Sequence, residues 1–307
     1  MKRILTELEA YLSRDGSPRD LARVLMAIAN SSLTVRDQLP FSTRVTRNVN
    51  TSGEKQTEID ILANDEFVSS LMATGCVAEV ASEEMAESRH GGGAVHVAMD
   101  PLDGSSNIST NNPLGSIFGF YSSALPCPGT SLIGAAFVTY GPMLTLTFST
   151  GAGVARFAAI GGRGAPEFTL LEEDLAIPAE PEVYGLGGQR KDWIEPVERF
   201  VASLEARGLK LRYGGTFVGD YNQVLRYGGI FGYPALRNKP KGKLRVLYEA
   251  APMAYITKRC GGYSSDGRRD LLLVEPASLA DSTPLYLGSA PIVRELEASI
   301  TATDRGS

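Results

Sequence analysis

The chain is predicted to be a mixed α and β protein of two subdomains, on three features of its apolar pattern. Helical spacing opens the sequence, period-2 alternation dominates from residue 94 to about 172, and helix and strand patterns alternate after Pro178 and Pro181. At 307 residues and 43% hydrophobic, the chain can bury a large core or two fused ones.

Ile4, Leu5, Leu8, Tyr11 and Leu12, then Leu21, Val24, Leu25 and Ile28, recur on one helical face. They predict two opening helices, with Ser17 and Pro18 as N-cap and first turn of the second. The apolar-rich residues 76–80 read as a strand. In 94–99, Val95, Val97 and Met99 alternate with smaller or polar residues, so a second strand is expected there, with Asp100 at its C-terminal tip. Further strands are expected at 117–121, 132–140, 143–148 and 154–160, separated by Gly and Pro, in a largely antiparallel sheet. Val197, Phe200, Val201 and Leu204 share one face of a helix expected at 192–206, which Gly208 terminates. A later helix, about 246–260, stops at Gly261 and Gly262 and carries Glu249 in its first turn. The change of pattern puts a boundary near residue 177, giving subdomains 1–176 and 177–307 with a site between them.

Composition narrows the function. A formal net charge of −5 and a pI near 5.3 leave no basic footprint for nucleic acid or an anionic membrane. No apolar stretch approaches the roughly 20 residues that span a bilayer, and residues 1–4 lead into an amphipathic pattern rather than a signal sequence. Cys76, Cys127 and Cys260 are odd in number and lack metal-ligand spacing, so reduced, buried thiols and a cytoplasmic location are expected. His90 follows no catalytic pattern and His96 falls inside a strand pattern, which argues against histidine-dependent hydrolysis.

The densest chemistry lies in Asp100-Pro101-Leu102-Asp103-Gly104-Ser105-Ser106-Asn107, with Glu83 and Glu84 upstream. Pro101 disfavours helix at the preceding residue, so a turn is expected there that brings Asp103 back towards Asp100. Gly104, Ser105 and Ser106 carry no bulky side chains, and if they open a helix their backbone N–H groups form an anion site beside those carboxylates. Alone, Asp-x-x-Asp-Gly reads as an Asx turn in a solvent loop. The Glu83–Glu84 pair, leaving another strand at the same rim, makes it a metal site. Hard divalent ions take oxygen ligands and Mg²⁺ bridges to phosphate, so an acid cluster without histidine suits Mg²⁺ and disfavours zinc. The chemistry indicated is magnesium-dependent phosphomonoester hydrolysis.

With Ser82-Glu83-Glu84 before it, this motif resembles class I fructose-1,6-bisphosphatase, a member of the inositol-monophosphatase-like sugar phosphatases. The similarity continues through Asn50-Thr51-Ser52-Gly53-Glu54, Ile59-Asp60, Gly115-Ser116-Ile117-Phe118-Gly119, Tyr227-Gly228-Gly229-Ile230-Phe231 and Gly242-Lys243-Leu244-Arg245-Val246-Leu247-Tyr248-Glu249. The last of these is specific to the bisphosphatase branch. The resemblance implies the layered α/β/α/β/α sugar-phosphatase fold, a homotetramer, and hydrolysis of the 1-phosphate of fructose 1,6-bisphosphate. Alternatives are another sugar bisphosphatase, such as one acting on sedoheptulose 1,7-bisphosphate, an inositol-monophosphatase-like enzyme, or a noncatalytic metabolite-binding regulator.

By motif position the resemblance implies that Glu83, Asp100, Asp103, Glu249 and Glu54, with the Leu102 carbonyl, bind two or three Mg²⁺ ions, for which Mn²⁺ can substitute. Asp60 and Glu84 would orient and deprotonate the attacking water. Gly104, Ser105, Ser106 and Arg245 would hold the reacting phosphate, and Lys243 and Tyr233 the distal one. The sequence departs from the family at Glu54, where Asp is usual, and at Gly187 and Arg190, where Asn and Tyr are common. Thr216 and Phe217 stand where an Arg-Tyr pair is usual. Arg190, or else Arg212, is expected to compensate at the distal phosphate. Ala94, Val95 and Ser122 replace the residues that hold AMP in AMP-inhibited members, and residues 17–20 do not match their phosphate loop, so no AMP inhibition is expected at that position.

Overall fold

Strands that carry apolar side chains on both faces need cover on two sides. In the computed structural model, which describes residues 6–41, 45–49, 55–161 and 166–306, helices provide that cover in five layers.

The outer layer holds α1 (Glu7–Arg14) and α2 (Arg19–Gln38), then, after the short antiparallel pair β1 (Val45–Val49) and β2 (Lys55–Thr57), α3 (Glu58–Ala73). Leu8, Leu12, Leu21, Leu25, Phe67 and Leu71 of this layer meet Val97, Met99, Phe118, Phe120 and Val138 on one face of the first sheet. That sheet contains β3 (Val77–Ser82), β4 (Arg89–His90), β5 (Val95–Asp103), β6 (Leu114–Tyr121), β7 (Leu132–Tyr140), β8 (Leu144–Ser149), β9 (Ala155–Ile160) and β10 (Glu167–Glu172). Its order is β10-β9-β8-β7-β6-β5-β3-β4, antiparallel except for the β3–β5 pair.

The alternate residues Ala98, Ile117, Ala135 and Phe137 face the next layer, as period-2 geometry requires. The second sheet is built from β11 (Val183–Leu186), β12 (Lys210–Leu211), β13 (Gly229–Tyr233), β15 (Tyr263–Ser265) and β17 (Leu285–Gly288), in the order β12-β11-β13-β17-β15; β14 (Leu244–Arg245) and β16 (Ser282–Thr283) form a separate ladder. Helices α5 (Phe217–Tyr227) and α6 (Ala251–Arg259) lie between the two sheets, and α4 (Glu195–Ala206) and α7 (Ala290–Gly306) cover the far side of the second. Phe231 points to the middle layer while its neighbour Ile230 packs with Val197 and Leu296. The layered α/β/α/β/α fold is thus the observed architecture.

Several expectations shift locally. Pro18 occupies the N-cap of α2 with no side-chain cap, because the Ser17 hydroxyl bonds Asp15 and Thr150 instead. Helix α4 begins at Glu195, after a 3-10 turn at Arg190–Asp192, and ends as expected with Gly208 at φ +83° beyond its C-cap. Strand β5 does not stop at Asp100, and the later helix opens as a π turn at Val246–Ala250. The three cysteines are free and buried, and no helix among the described residues is long and apolar enough to cross a membrane.

Candidate active site

Strands β3 and β5 run parallel, with Ser82 opposite Met99, so Glu83 and Asp100 leave neighbouring strands at the same level. The Glu83 amide donates to the Met99 carbonyl at 3.1 Å, holding that rim together. The expected turn at Pro101 is instead a bulge: pairing with β6 resumes at Asp103–Gly115 after Asp100–Ile117. Pro101 has no N–H to give a ladder, and a bulge is where a strand tolerates that. Its carbonyl accepts from Ser116 Oγ at 2.7 Å, and the Asp100 carboxylate accepts from the Leu102 amide at 3.0 Å. Gly104 then turns at φ +78°, where a Cβ would come within 2.6 Å of Thr216 Cβ. Ser105 and Ser106 open a 3-10 helix, Ser105–Thr110, not an α-helix.

From the second sheet's side, Asp103 is met by the first turn of α5. It accepts from Thr216 Oγ1 at 2.7 Å, Phe217 N at 3.2 Å and Val218 N at 2.7 Å. Asn107 donates to the Gly214 carbonyl at 3.0 Å, and Asp220 accepts from the amides of Gly214 and Gly215 at 2.5 and 3.1 Å. The 213–215 loop is therefore clamped from both sides.

Glu249 sits on the π turn. Ala251 N donates five residues back to Val246 O, but Pro252 has no N–H for the equivalent bond to Leu247 O. The Tyr121 hydroxyl supplies the missing donor to Leu247 O at 3.0 Å. The Glu249 carboxylate accepts from the Arg245 amide at 2.7 Å.

These elements enclose a cavity of about 370 Å³. Asp60, Glu83, Glu84, Asp100, Asp103 and Glu249 line it, as do Lys239, Lys243, Arg245, Tyr213 and Tyr233. Burial, reinforced by the charges of Glu83 and Glu249, holds the Asp100 carboxyl well above the usual carboxylate range. Glu249 is raised by burial and by Glu83, against the opposing Arg245 amide and Lys243 charge. Asp103 is raised by burial, although the α5 amides and the Thr216 hydroxyl favour its ionised form. Buried acids that repel one another this strongly are the environment that a hard divalent cation relieves, and the all-oxygen donor set fits one in kind. Among the described residues no three His, Cys, Asp or Glu side chains are already grouped as ligands of one ion. Asp103 is turned to α5 and Glu249 to the Arg245 amide.

Of the residues singled out from sequence, Asp60, Glu83, Glu84, Asp100, Leu102, Asp103, Gly104, Ser105, Ser106, Tyr233, Lys243, Arg245 and Glu249 all line this cavity. Arg190, expected to compensate at the distal phosphate, is not among the lining residues: it lies 3.6 Å from Glu198 and 3.4 Å from Glu205 on the flank of α4. Glu54 lies outside the described residues. His96 pairs with Glu79 at 3.1 Å and His90 is exposed, both outside the cavity. Sequence reasoning missed Lys239, Tyr213 and Asp220. For Tyr213 the signal was present, because an Arg-Tyr pair stands at Arg212 and Tyr213 rather than at 216–217. Burial and the Tyr233 hydroxyl raise the Tyr213 phenol, so the two tyrosines meet at one wall.

A five-layer fold that gathers buried carboxylates, lysines and tyrosines around one cavity defines a metal-dependent phosphomonoesterase of the sugar-phosphatase class. Family models carry this further: the fructose-1-6-bisphosphatase N-terminal domain matches residues 11–171 and the C-terminal domain residues 177–301. A class 1 fructose-1,6-bisphosphatase of Haloarcula marismortui is 40% identical over 289 residues, spanning 94% of this chain and 98% of its own. One from Natronomonas pharaonis is 41% identical over 279 residues, 90% of this chain and 97% of its own. The holo form of Leishmania major fructose-1,6-bisphosphatase superposes with a TM-score of 0.90 at 28% identity, covering 97% of this chain and 99% of its own. The chain belongs to the fructose-1,6-bisphosphatase family.

Proposed function

We infer that this enzyme hydrolyses the 1-phosphate of fructose 1,6-bisphosphate to fructose 6-phosphate and inorganic phosphate, with Mg²⁺ as its cofactor. The lining of the cavity carries this reading: one space holds the acids together with more anion partners than a single phosphate needs, Lys239, Lys243, Arg245, Tyr213 and Tyr233. A monophosphate would need only one set of anion partners.

Glu83, Asp100, Asp103 and Glu249, the Leu102 carbonyl, and Glu54 are the residues assigned to two or three Mg²⁺ ions, sites that hard-oxygen donors also offer to Mn²⁺. When bound, the metal supplies neutralisation of the phosphoryl oxygens. Asp60 and Glu84 orient the attacking water and accept its proton. Gly104, Ser105 and Ser106 approach the reacting phosphate with backbone and hydroxyl donors, and the Arg245 guanidinium adds a charged one. Lys243 and Tyr233 hold the distal phosphate, which positions the reacting ester. On this reading residues 1–176 carry most metal ligands and 177–307 hold the sugar phosphate, Glu249 excepted. Leu211, exposed on the edge strand β12 next to Arg212, supports an oligomer formed across that edge, a homotetramer by resemblance.

Phosphate release from fructose 1,6-bisphosphate, sedoheptulose 1,7-bisphosphate and inositol monophosphate, with and without Mg²⁺, tests the assignment. The expected result is Mg²⁺-dependent turnover greatest for fructose 1,6-bisphosphate, with fructose 6-phosphate identified by NMR. Preference for a monophosphate would overturn it.

A further inference from the structure

Asp60 and Glu84 come from different elements, yet one dipeptide at the end of β2 contacts both. Thr57 is the N-cap of α3: its amide and hydroxyl donate to Asp60 Oδ2 at 2.6 and 2.8 Å, and its hydroxyl accepts from the Asp60 amide at 3.3 Å. This capping box fixes Asp60 in the first turn of a sixteen-residue helix. Gln56, the preceding residue, is 8% exposed. Its side-chain amide donates to the Glu84 carboxylate and lies 3.5 Å from the Glu84 carbonyl. The Glu84 amide in turn donates to Ser82 Oγ at 3.2 Å, tying the base of this side chain to the end of β3.

We propose that Gln56 is a positioning residue for the proton-accepting carboxylate of Glu84. The proposal rests on the reading of Glu84 given above. A carboxylate offers about four lone-pair positions, so the Gln56 amide restricts its rotation while occupying only one of them. The amide is neutral, so its own contact adds no positive charge to the carboxylate it orients. A proton acceptor must lie within hydrogen-bond reach of its water at the right angle, and misplacement by about 1 Å can cost a hundredfold in rate. Gln56 and Thr57 together set the relative placement of Glu84 and Asp60, through a strand only three residues long. If Gln56 merely tied β2 to the loop after β3, its loss would disturb folding, substrate binding and metal binding together.

Gln56→Met keeps side-chain length and volume while removing the donor. At saturating fructose 1,6-bisphosphate and Mg²⁺ we expect kcat to fall about ten- to a hundredfold. KM, the calorimetric Mg²⁺ affinity and the melting temperature should stay near wild type. Gln56→Asn, which keeps the amide but shortens its reach, should give an intermediate loss and serves where the Met variant fails to fold. In a Glu84→Gln background Gln56→Met should cost less than about twofold, because the group it positions is already disabled. Parallel rises in KM and loss of Mg²⁺ affinity, or an undiminished effect in the Glu84→Gln background, would overturn the proposal. Full turnover by Glu84→Gln would remove the reading of Glu84 itself. An inactive Glu84→Gln beside a fully active Gln56→Met would remove only the positioning role.

Discussion

Asp103 accepts three hydrogen bonds from the first turn of α5, two of them from backbone amides, so substitution there touches stability and chemistry together. Asp103→Asn should lower Mg²⁺-dependent kcat by at least about a hundredfold, since a charged ligand is lost. It should also lower the melting temperature by about 2–4 °C, because an amide cannot accept at both oxygens. Near-normal turnover at saturating Mg²⁺ would sink the first half, and an unchanged melting curve the second. The distal phosphate is a separate matter. Lys243→Ala should raise KM for the bisphosphate about tenfold or more, and exposed Lys239→Ala about threefold, with smaller effects on a matched monophosphate. Arg190→Ala should leave KM within about twofold, since this side chain already pairs with Glu198 and Glu205 away from the cavity. A larger effect of Arg190→Ala than of Lys239→Ala in steady-state assays would restore the sequence-based assignment. The acids were legible because each follows a strand or motif whose spacing survives in the chain. Lys239 was not, since it reaches the cavity through a turn whose closure depends on its bridge with Leu236.

At the level of elements, the strands were readable wherever both faces are apolar, and the irregular segments were not. Two of those irregular segments carry site residues: the bulge at 100–103 and the π turn at 246–250. Both depend on a donor remote in sequence, Ser116 for the Pro101 carbonyl and Tyr121 for the Leu247 carbonyl. Periodicity contains no information about such partners. Pro252 is the local cause in the second case, since its ring would clash with the Tyr248 carbonyl that ordinary α geometry places four residues back. Pro252→Ala restores an N–H that can bond Tyr248 O in ordinary α geometry. One residue of helical register is about 100° of rotation, enough to swing Glu249 away from the cavity. The expected outcome is an unchanged or higher melting temperature with the Mg²⁺ half-activation constant raised about tenfold, the usual scale for disturbing a ligand's support. Unaltered Mg²⁺ activation in a stable variant would show that the π turn does not set Glu249.

Across the whole molecule, the site forms where the 100–107 segment of the first sheet meets the 213–220 segment on the second sheet's side. Sequence pattern alone led to two subdomains and a mostly antiparallel first sheet. The five-layer stacking came from the family motifs, because apolar runs announce that a strand is covered without saying by which helix. Asp103 and Asn107 reach across to α5 and to Gly214, and Asp220 closes the junction from within the second segment. Burial pushes Asp220 up from 3.8 to about 6; the nearby Asp103 charge adds to this and the Gly214 and Gly215 amides oppose it. The folded protein therefore holds this proton more tightly than the unfolded chain does. The associated stabilisation is fully present below about pH 4 and is lost as pH rises through about 6. Asp220→Asn keeps one acceptor for the loop amides and carries no charge at any of these pH values. The melting temperature of the wild type minus that of Asp220→Asn should accordingly fall as pH is raised from about 4.5 to 7.5. A difference that stays flat or grows over that range would mean that the junction favours the ionised carboxylate, with the two loop amides outweighing its burial.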